Sequence, residues 1–133
     1  MKEKKVLSLF SGCGGMDLGF EGGFEVLKNT INPSIHPNWV KSETDNHWVQ
    51  LKETGFKTVF ANDIRPGAKA AWVPFFQKRW ENDAEKIFHL GSIVDIAKDI
   101  KSGEKKIKNA SIDLITGGFP CQDFSVAGKR KGF

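Results

Sequence analysis

Four short apolar runs punctuate the chain. Val6 to Phe10 leads into a glycine cluster, Ser11-Gly12-Cys13-Gly14-Gly15, and Phe56 to Ala61 stops at Asn62-Asp63. Ile87 to Leu90 is the third run, and Ile112 to Thr116, the fourth, enters Gly117-Gly118-Phe119-Pro120-Cys121. Apolar runs of this length, bounded by turn-forming residues, read as strands. Between them the spacing changes. Met16 to Phe20 opens a helix that Gly22-Gly23 closes, and Ala68 to Trp80 is helical in composition, with a kink or split expected at Pro74. Ile93, Ile96, Ala97 and Ile100 share one helical face. Strands alternating with helices predict an α/β fold: a partial doubly wound, mostly parallel sheet, truncated after about the fourth strand. Its functional loops are expected at the carboxyl ends of the strands.

One segment interrupts the alternation. Gly23-Phe24-Glu25-Val26-Leu27 resembles Gly55-Phe56-Lys57-Thr58-Val59, as though a strand began, detoured and began again. Residues 28–54 are rich in Asn, Pro, Thr and charge, and they carry His36, Trp39, His47 and Trp48. They read as a surface insertion, with a short helix expected near Asp45 to Lys52. Residues 1–133 as a whole read as one partial domain with an uncovered sheet edge, either truncated or in need of a partner.

Composition narrows the class without deciding it. Of 133 residues, 39% are hydrophobic and 27% charged, which fits a globular domain. A net charge of +4 permits a polyanionic partner but does not demand one. No apolar run reaches the ~18–20 residues of a membrane span, and the five apolar-rich residues after Lys5 are too few for a signal peptide. Cys13 and Cys121 stand far apart, so neither a disulfide framework nor a zinc site is expected. A reducing cytoplasmic setting without membrane contact fits best. His36, His47 and His89 lack metal-ligand spacing, and no metal is expected.

Three places carry candidate chemistry. The glycines after the first strand let backbone approach a ligand, although Asp17 stands where the third glycine of a dinucleotide fingerprint belongs. Asp63, ending the second strand, either accepts hydrogen bonds from a ribose diol or orders the turn before Arg65-Pro66. Cys121 follows a proline on a strand-end loop, and Lys129, Arg130 and Lys131 would favour its thiolate and a phosphate backbone. Cys13, by contrast, reads from the residues alone as a small buried hydrophobe.

Leu9-Phe10-Ser11-Gly12-Cys13-Gly14-Gly15 followed by Gly19-Phe20, then Asn62-Asp63-Ile64, then Gly118 to Gly128 with its Pro120-Cys121-Gln122 core, resembles the DNA (cytosine-5) methyltransferase family. The resemblance spans Val6 to Phe133 apart from the insertion. It implies a Rossmann-like fold and transfer of a methyl group from S-adenosyl-L-methionine to carbon 5 of a cytosine flipped out of double-stranded DNA, in a bacterial restriction–modification setting. By position, Phe10, Ser11, Gly12, Cys13 and Gly15 would line the cofactor. Asp63 would hold the ribose hydroxyls, with Ile64 against the adenine and Pro120 at the methionine end. Cys121 would be the nucleophile. Where the family has Gly-Asp-Ile after its third strand, this chain has Gly91-Ser92-Ile93, so Ser92 or Asp95 would take the adenine contact beside Ile93. The family's Glu-Asn-Val motif, its arginine-bearing motif and its target recognition domain have no counterpart here. The chain is therefore expected to be an N-terminal fragment or split subunit, inactive alone and completed by the missing C-terminal part. A tRNA methyltransferase of the same fold, or a non-catalytic cofactor- or partner-binding remnant, are the alternatives.

Overall fold

The computed structural model describes residues 2–80, 83–104 and 111–119. In chain order these form β1 (Lys4–Leu9), α1 (Gly15–Glu21), β2 (Glu25–Leu27), β3 (Val40–Glu43), β4 (Trp48–Leu51), β5 (Phe56–Asp63), α2 (Pro66–Trp80), α3 (Ala84–Ile87), β6 (Phe88–Leu90), α4 (Ile93–Ser102) and β7 (Leu114–Gly117). A single 3-10 turn, Lys28–Thr30, follows β2.

The four strands expected from the apolar runs assemble into one parallel sheet, ordered β6-β5-β1-β7. The chain steps outward from β1 to β5 to β6, then returns to the other side of β1 for β7. That reversal leaves a crevice above the carboxyl ends of β1 and β7, where doubly wound sheets bind ligands. This is an α/β architecture, as the alternation of runs predicts.

Helices cover both faces, and β5 shows why. Its side chains alternate across the sheet. Phe60 packs with Leu7 against Ile96 of α4, while Ala61 faces Ala68, Trp72 and Phe76 of α2 together with Ala84 and Phe88. Of the Ile93–Ile100 face of α4, Ile96 is buried against the sheet and Ile93 half-buried, while Ala97 and Ile100 are exposed. Ser92 caps that helix by accepting from the Val94 N–H at 3.2 Å, and Gly103 closes it at φ +81°. Pro74 does not break α2, contrary to expectation. It is exposed, where a lost amide bond is tolerated, and buried Trp72 and Phe76 hold the helix to the sheet on either side of it.

Residues 25–51 build a second, antiparallel sheet in the order β2-β4-β3. The helix expected near Asp45 to Lys52 is therefore replaced by β4. The alternation of Trp48, Val49, Gln50 and Leu51 suits a strand: Val49 is buried while Trp48 is exposed. The small sheet leaves the main one at its amino end, tied by the Gly22–Glu53 bridge and the Gly23 N–H donated to the Lys52 carbonyl at 3.0 Å. His36 stacks on Trp39 at 3.6 Å in the connection between β2 and β3. His89 lies in β6 and stacks on Phe60, a structural placement. No helix among the described residues is long and apolar enough to cross a membrane.

Candidate active site

The turn leaving β1 is forced out of ordinary backbone geometry. Phe10, Gly12 and Gly14 have φ of +53°, +56° and +90°. Glycine adopts this region freely, but Phe10 does so only because its neighbours compel it, a state common beside functional sites. The compulsion comes from Asn62 on β5. The Ser11 N–H donates to the Asn62 carbonyl at 2.8 Å, and the Ser11 hydroxyl oxygen accepts from the Asn62 N–H at 3.0 Å. Gly14 is pressed against α2. A Cβ there would lie 2.6 Å from both Trp72 and Phe76, whereas one on Gly15 would meet nothing within 4 Å. The turn is thus closed on its core side and open on its outer side.

Asp63 joins this turn to the next. Its Oδ2 accepts from the Gly12 N–H at 3.0 Å, and its Oδ1 accepts from the Arg65 N–H at 2.9 Å and from Arg65 Nε at 3.3 Å. Both readings of Asp63 therefore have a structural counterpart: it orders the Arg65 turn and reaches across 51 residues to the glycine loop. Burial works against ionisation of the carboxyl. The Arg65 N–H, its guanidinium and the Gly12 N–H outweigh that penalty and hold it below its ordinary value. Ile64, next along, is 66% exposed at the same sheet edge.

A third loop is fastened to the same point. Both amide hydrogens of Asn62 are spent on it, with Nδ2 donating to the His89 carbonyl at 2.8 Å and the Gly91 carbonyl at 2.9 Å. Ser92 and Ile93 follow directly and are half-buried. The Ser92 hydroxyl is engaged as the α4 cap, while Asp95 is exposed and lies 3.8 Å from Lys98. The exit of β7 closes the group, since a Cβ on Gly117 would touch Leu9 and Phe10 at about 4 Å.

Phe10, Ser11, Gly12, Gly15, Asp63, Ile64, Ser92 and Ile93 thus meet at one edge of the sheet. Cys13 is there too, but it is exposed and not the buried hydrophobe expected from the residues alone. The tight reversal at Gly12 and Gly14 turns its side chain outward. Pro120 and Cys121 lie outside the described residues, as do Lys129, Arg130 and Lys131. Asn62, Trp72 and Asp17 had not been singled out as site residues. Only Asn62 carried a signal, an amide-bearing residue at a strand's end beside a candidate carboxylate.

The family model for C-5 cytosine-specific DNA methylases matches residues 44–133. The chain belongs to that family. Among its relatives, this methylase chain is 34% identical to the Type II methyltransferase M.HindV of Haemophilus influenzae, over 95% of its own length and 27% of the relative's. It is 34% identical to the Type II methyltransferase M.BsuRI of Bacillus subtilis, over 94% and 24%. With the Type II methyltransferase M.HgiGI of Herpetosiphon aurantiacus it shares 32% identity, over 95% and 66%. The methylase chain therefore spans about a quarter of the length of the first two. No solved structure matches it.

Proposed function

We propose that this chain binds S-adenosyl-L-methionine at the carboxyl edge of its sheet and contributes the nucleophile for methylation of cytosine carbon 5 in DNA. The observation that carries the reading is Asp63. It is a carboxylate held ionised by Arg65 and Gly12, beside a glycine turn open on its outer side and next to the exposed apolar face of Ile64. These groups suit a nucleoside bearing a short polar chain. Asp63 Oδ2 retains one lone pair for a ribose hydroxyl, Ile64 offers a flat apolar contact for adenine, and Ser92 and Ile93 stand beyond it. Phe10, Ser11, Gly12, Cys13 and Gly15 would line the remainder, with Pro120 completing it. When bound, the cofactor supplies an electrophilic methyl group.

Cytosine carbon 5 is too weak a nucleophile to take that group unaided. A thiolate at Cys121 adding to carbon 6 would load electron density onto carbon 5. Attack from that face requires the base to leave the duplex. The proton handling and choice of target sequence would come from sequence beyond these 133 residues, a view supported by the share of its relatives that the chain spans. Relatives named as Type II methyltransferases support a restriction–modification role in a bacterial cytoplasm.

The test is covalent trapping on DNA containing 5-fluorocytosine, using the protein that carries this chain. A denaturation-resistant adduct is expected from the natural protein and from Cys13→Ser, and none from Cys121→Ser. An adduct that survives Cys121→Ser but not Cys13→Ser overturns the assignment.

A further inference from the structure

We propose that Asp17 is a positioning residue for the glycine turn, acting through the indole of Trp72. The proposal rests on the cofactor reading above and extends it to a residue that touches no ligand. Asp17 is fully buried in the first turn of α1, three residues after Gly14. Its Oδ2 accepts from Trp72 Nε1 at 2.7 Å. That nitrogen and the adjacent Cδ1 form the indole edge that Gly14 rests on, for a Cβ on Gly14 would lie 2.9 Å and 2.6 Å from them. One edge of one ring thus meets the close of the turn and the helix that follows it, by packing at Gly14 and by a hydrogen bond at Asp17.

The ring itself is immobilised. Trp72 is fully buried, stacked on Phe76 at 4.3 Å and flanked by Phe88 and Trp80 at 5.3 and 5.4 Å. It is an anchor, and Asp17 is the group that registers the turn against it. A rotation of α1 that lengthened this bond would also lift Gly14 from the ring and move Gly12 relative to Asp63.

The other oxygen gives the second observation. Asp17 Oδ1 is buried and has no hydrogen-bond partner among the described residues. A buried carboxyl with one free oxygen is a poor way to stabilise a helix. An apolar side chain of similar volume would fill the space without the desolvation cost. What leucine could not do is accept from Trp72 Nε1, and that bond fixes direction as well as distance.

Calorimetric titration with S-adenosylhomocysteine tests this, in the protein that carries the chain. Asp17→Leu removes the acceptor, Asp17→Asn keeps it, and Trp72→Phe keeps an aromatic ring but removes the donor together with the indole edge under Gly14. Loss of a buried hydrogen bond of this kind should weaken the affinity about tenfold in Asp17→Leu and in Trp72→Phe. Asp17→Asn should stay within about threefold of the natural protein, and the Leu/Phe double variant should be no weaker than either single one, because both remove the same bond. Asp17→Leu strands the buried indole N–H and should lower the melting temperature, whereas the Leu/Phe double variant leaves no buried group unpaired and should recover most of that loss without recovering affinity, which separates positioning from support of the fold. Natural-like affinity in Trp72→Phe, an Asn variant as weak as the Leu variant, or additive losses in the double variant each overturn the proposal. Should Asp17→Leu fail to fold, Trp72→Phe and Asp17→Asn decide it alone. If the natural protein itself has no affinity for S-adenosylhomocysteine, the cofactor reading fails first and this inference falls with it.

Discussion

Ser11 and Asn62 hold each other in both directions, the N–H of each donating to an oxygen of the other at 2.8 and 3.0 Å. Asn62 then spends both side-chain hydrogens on the carbonyls of His89 and Gly91. One buried amide residue therefore binds together the loops that leave β1, β5 and β6, which carry the candidate cofactor contacts other than Pro120. A flexible loop reordered on each binding event would lose affinity to entropy, and this arrangement removes much of that cost in advance.

Asn62→Ala strands two carbonyls and should lower the stability by about 2–4 kcal/mol. Asn62→Asp should lower it further at neutral pH, because a carboxylate would face two carbonyl oxygens in a buried place. Urea denaturation of the two variants measures both effects. An Asp variant more stable than the Ala variant would contradict the assignment of the two Nδ2 bonds.

The glycine turn offers a paired test. Gly14→Ala drives a methyl group into Trp72 and Phe76 at φ +90°, and overpacking plus backbone strain should cost about 2–5 kcal/mol. Gly15→Ala meets no atom within 4 Å, and as a helix-start alanine it should raise stability by about 0.4–1 kcal/mol. If Gly15 lines the cofactor, the same harmless methyl should still weaken S-adenosylhomocysteine binding. Melting curves and calorimetry on the two variants read these outcomes separately.

The main sheet was legible because each of its strands is a short apolar run closed by turn residues, with Ile93 to Ile100 in helical spacing and Ala68 to Trp80 helical in composition between them. Asp63 was legible by its place at a strand's end. The small antiparallel sheet was not, since Glu25–Leu27 and Val40–Glu43 are too short and too polar to show an apolar stripe. Only Val49 among the described residues there is buried as a hydrophobe. Asn62, Trp72 and Asp17 escaped notice for another reason. Their roles rest on hydrogen bonds across 27 to 55 residues, and local pattern carries no trace of such pairings.

Asp63 should contribute both affinity and an acid-sensitive stability. Asp63→Ala should weaken S-adenosylhomocysteine binding about ten- to a hundred-fold through loss of charge-assisted hydrogen bonds. Its carboxyl is held below the ordinary value of 3.8. Its stabilising contribution is therefore complete above the unfolded-state value and lost as pH falls through the folded-state one. The difference in melting temperature between the natural protein and Asp63→Asn should shrink on acidification through that window. A constant difference across it would show that the charge of Asp63 does not stabilise the fold.

Asp17 should behave in the opposite sense. Burial raises its carboxyl above the ordinary value of 3.8; the nearby Ser8 hydroxyl and the bond from Trp72 oppose that shift, and the charge of Glu21 adds to it. Glu21 is itself partnered by Arg79 at 3.3 Å and Trp80 at 3.0 Å, so the acidic pair does not face solvent. A group whose folded-state value is raised contributes its full stability only below the unfolded-state value. That contribution disappears as pH rises through the folded-state value, where the buried carboxyl is made to ionise. Asp17→Asn does not ionise, so its melting temperature should gain on that of the natural protein as pH is raised through this interval, and the gain should level off above it. Asp63→Asn should give the reverse trend under the same buffers. Differential scanning calorimetry of the three proteins across the acidic range checks both signs at once. A melting difference for Asp17→Asn that falls as pH rises would mean that the ionised carboxylate is the favoured buried form, held by Trp72 against the desolvation of its second oxygen.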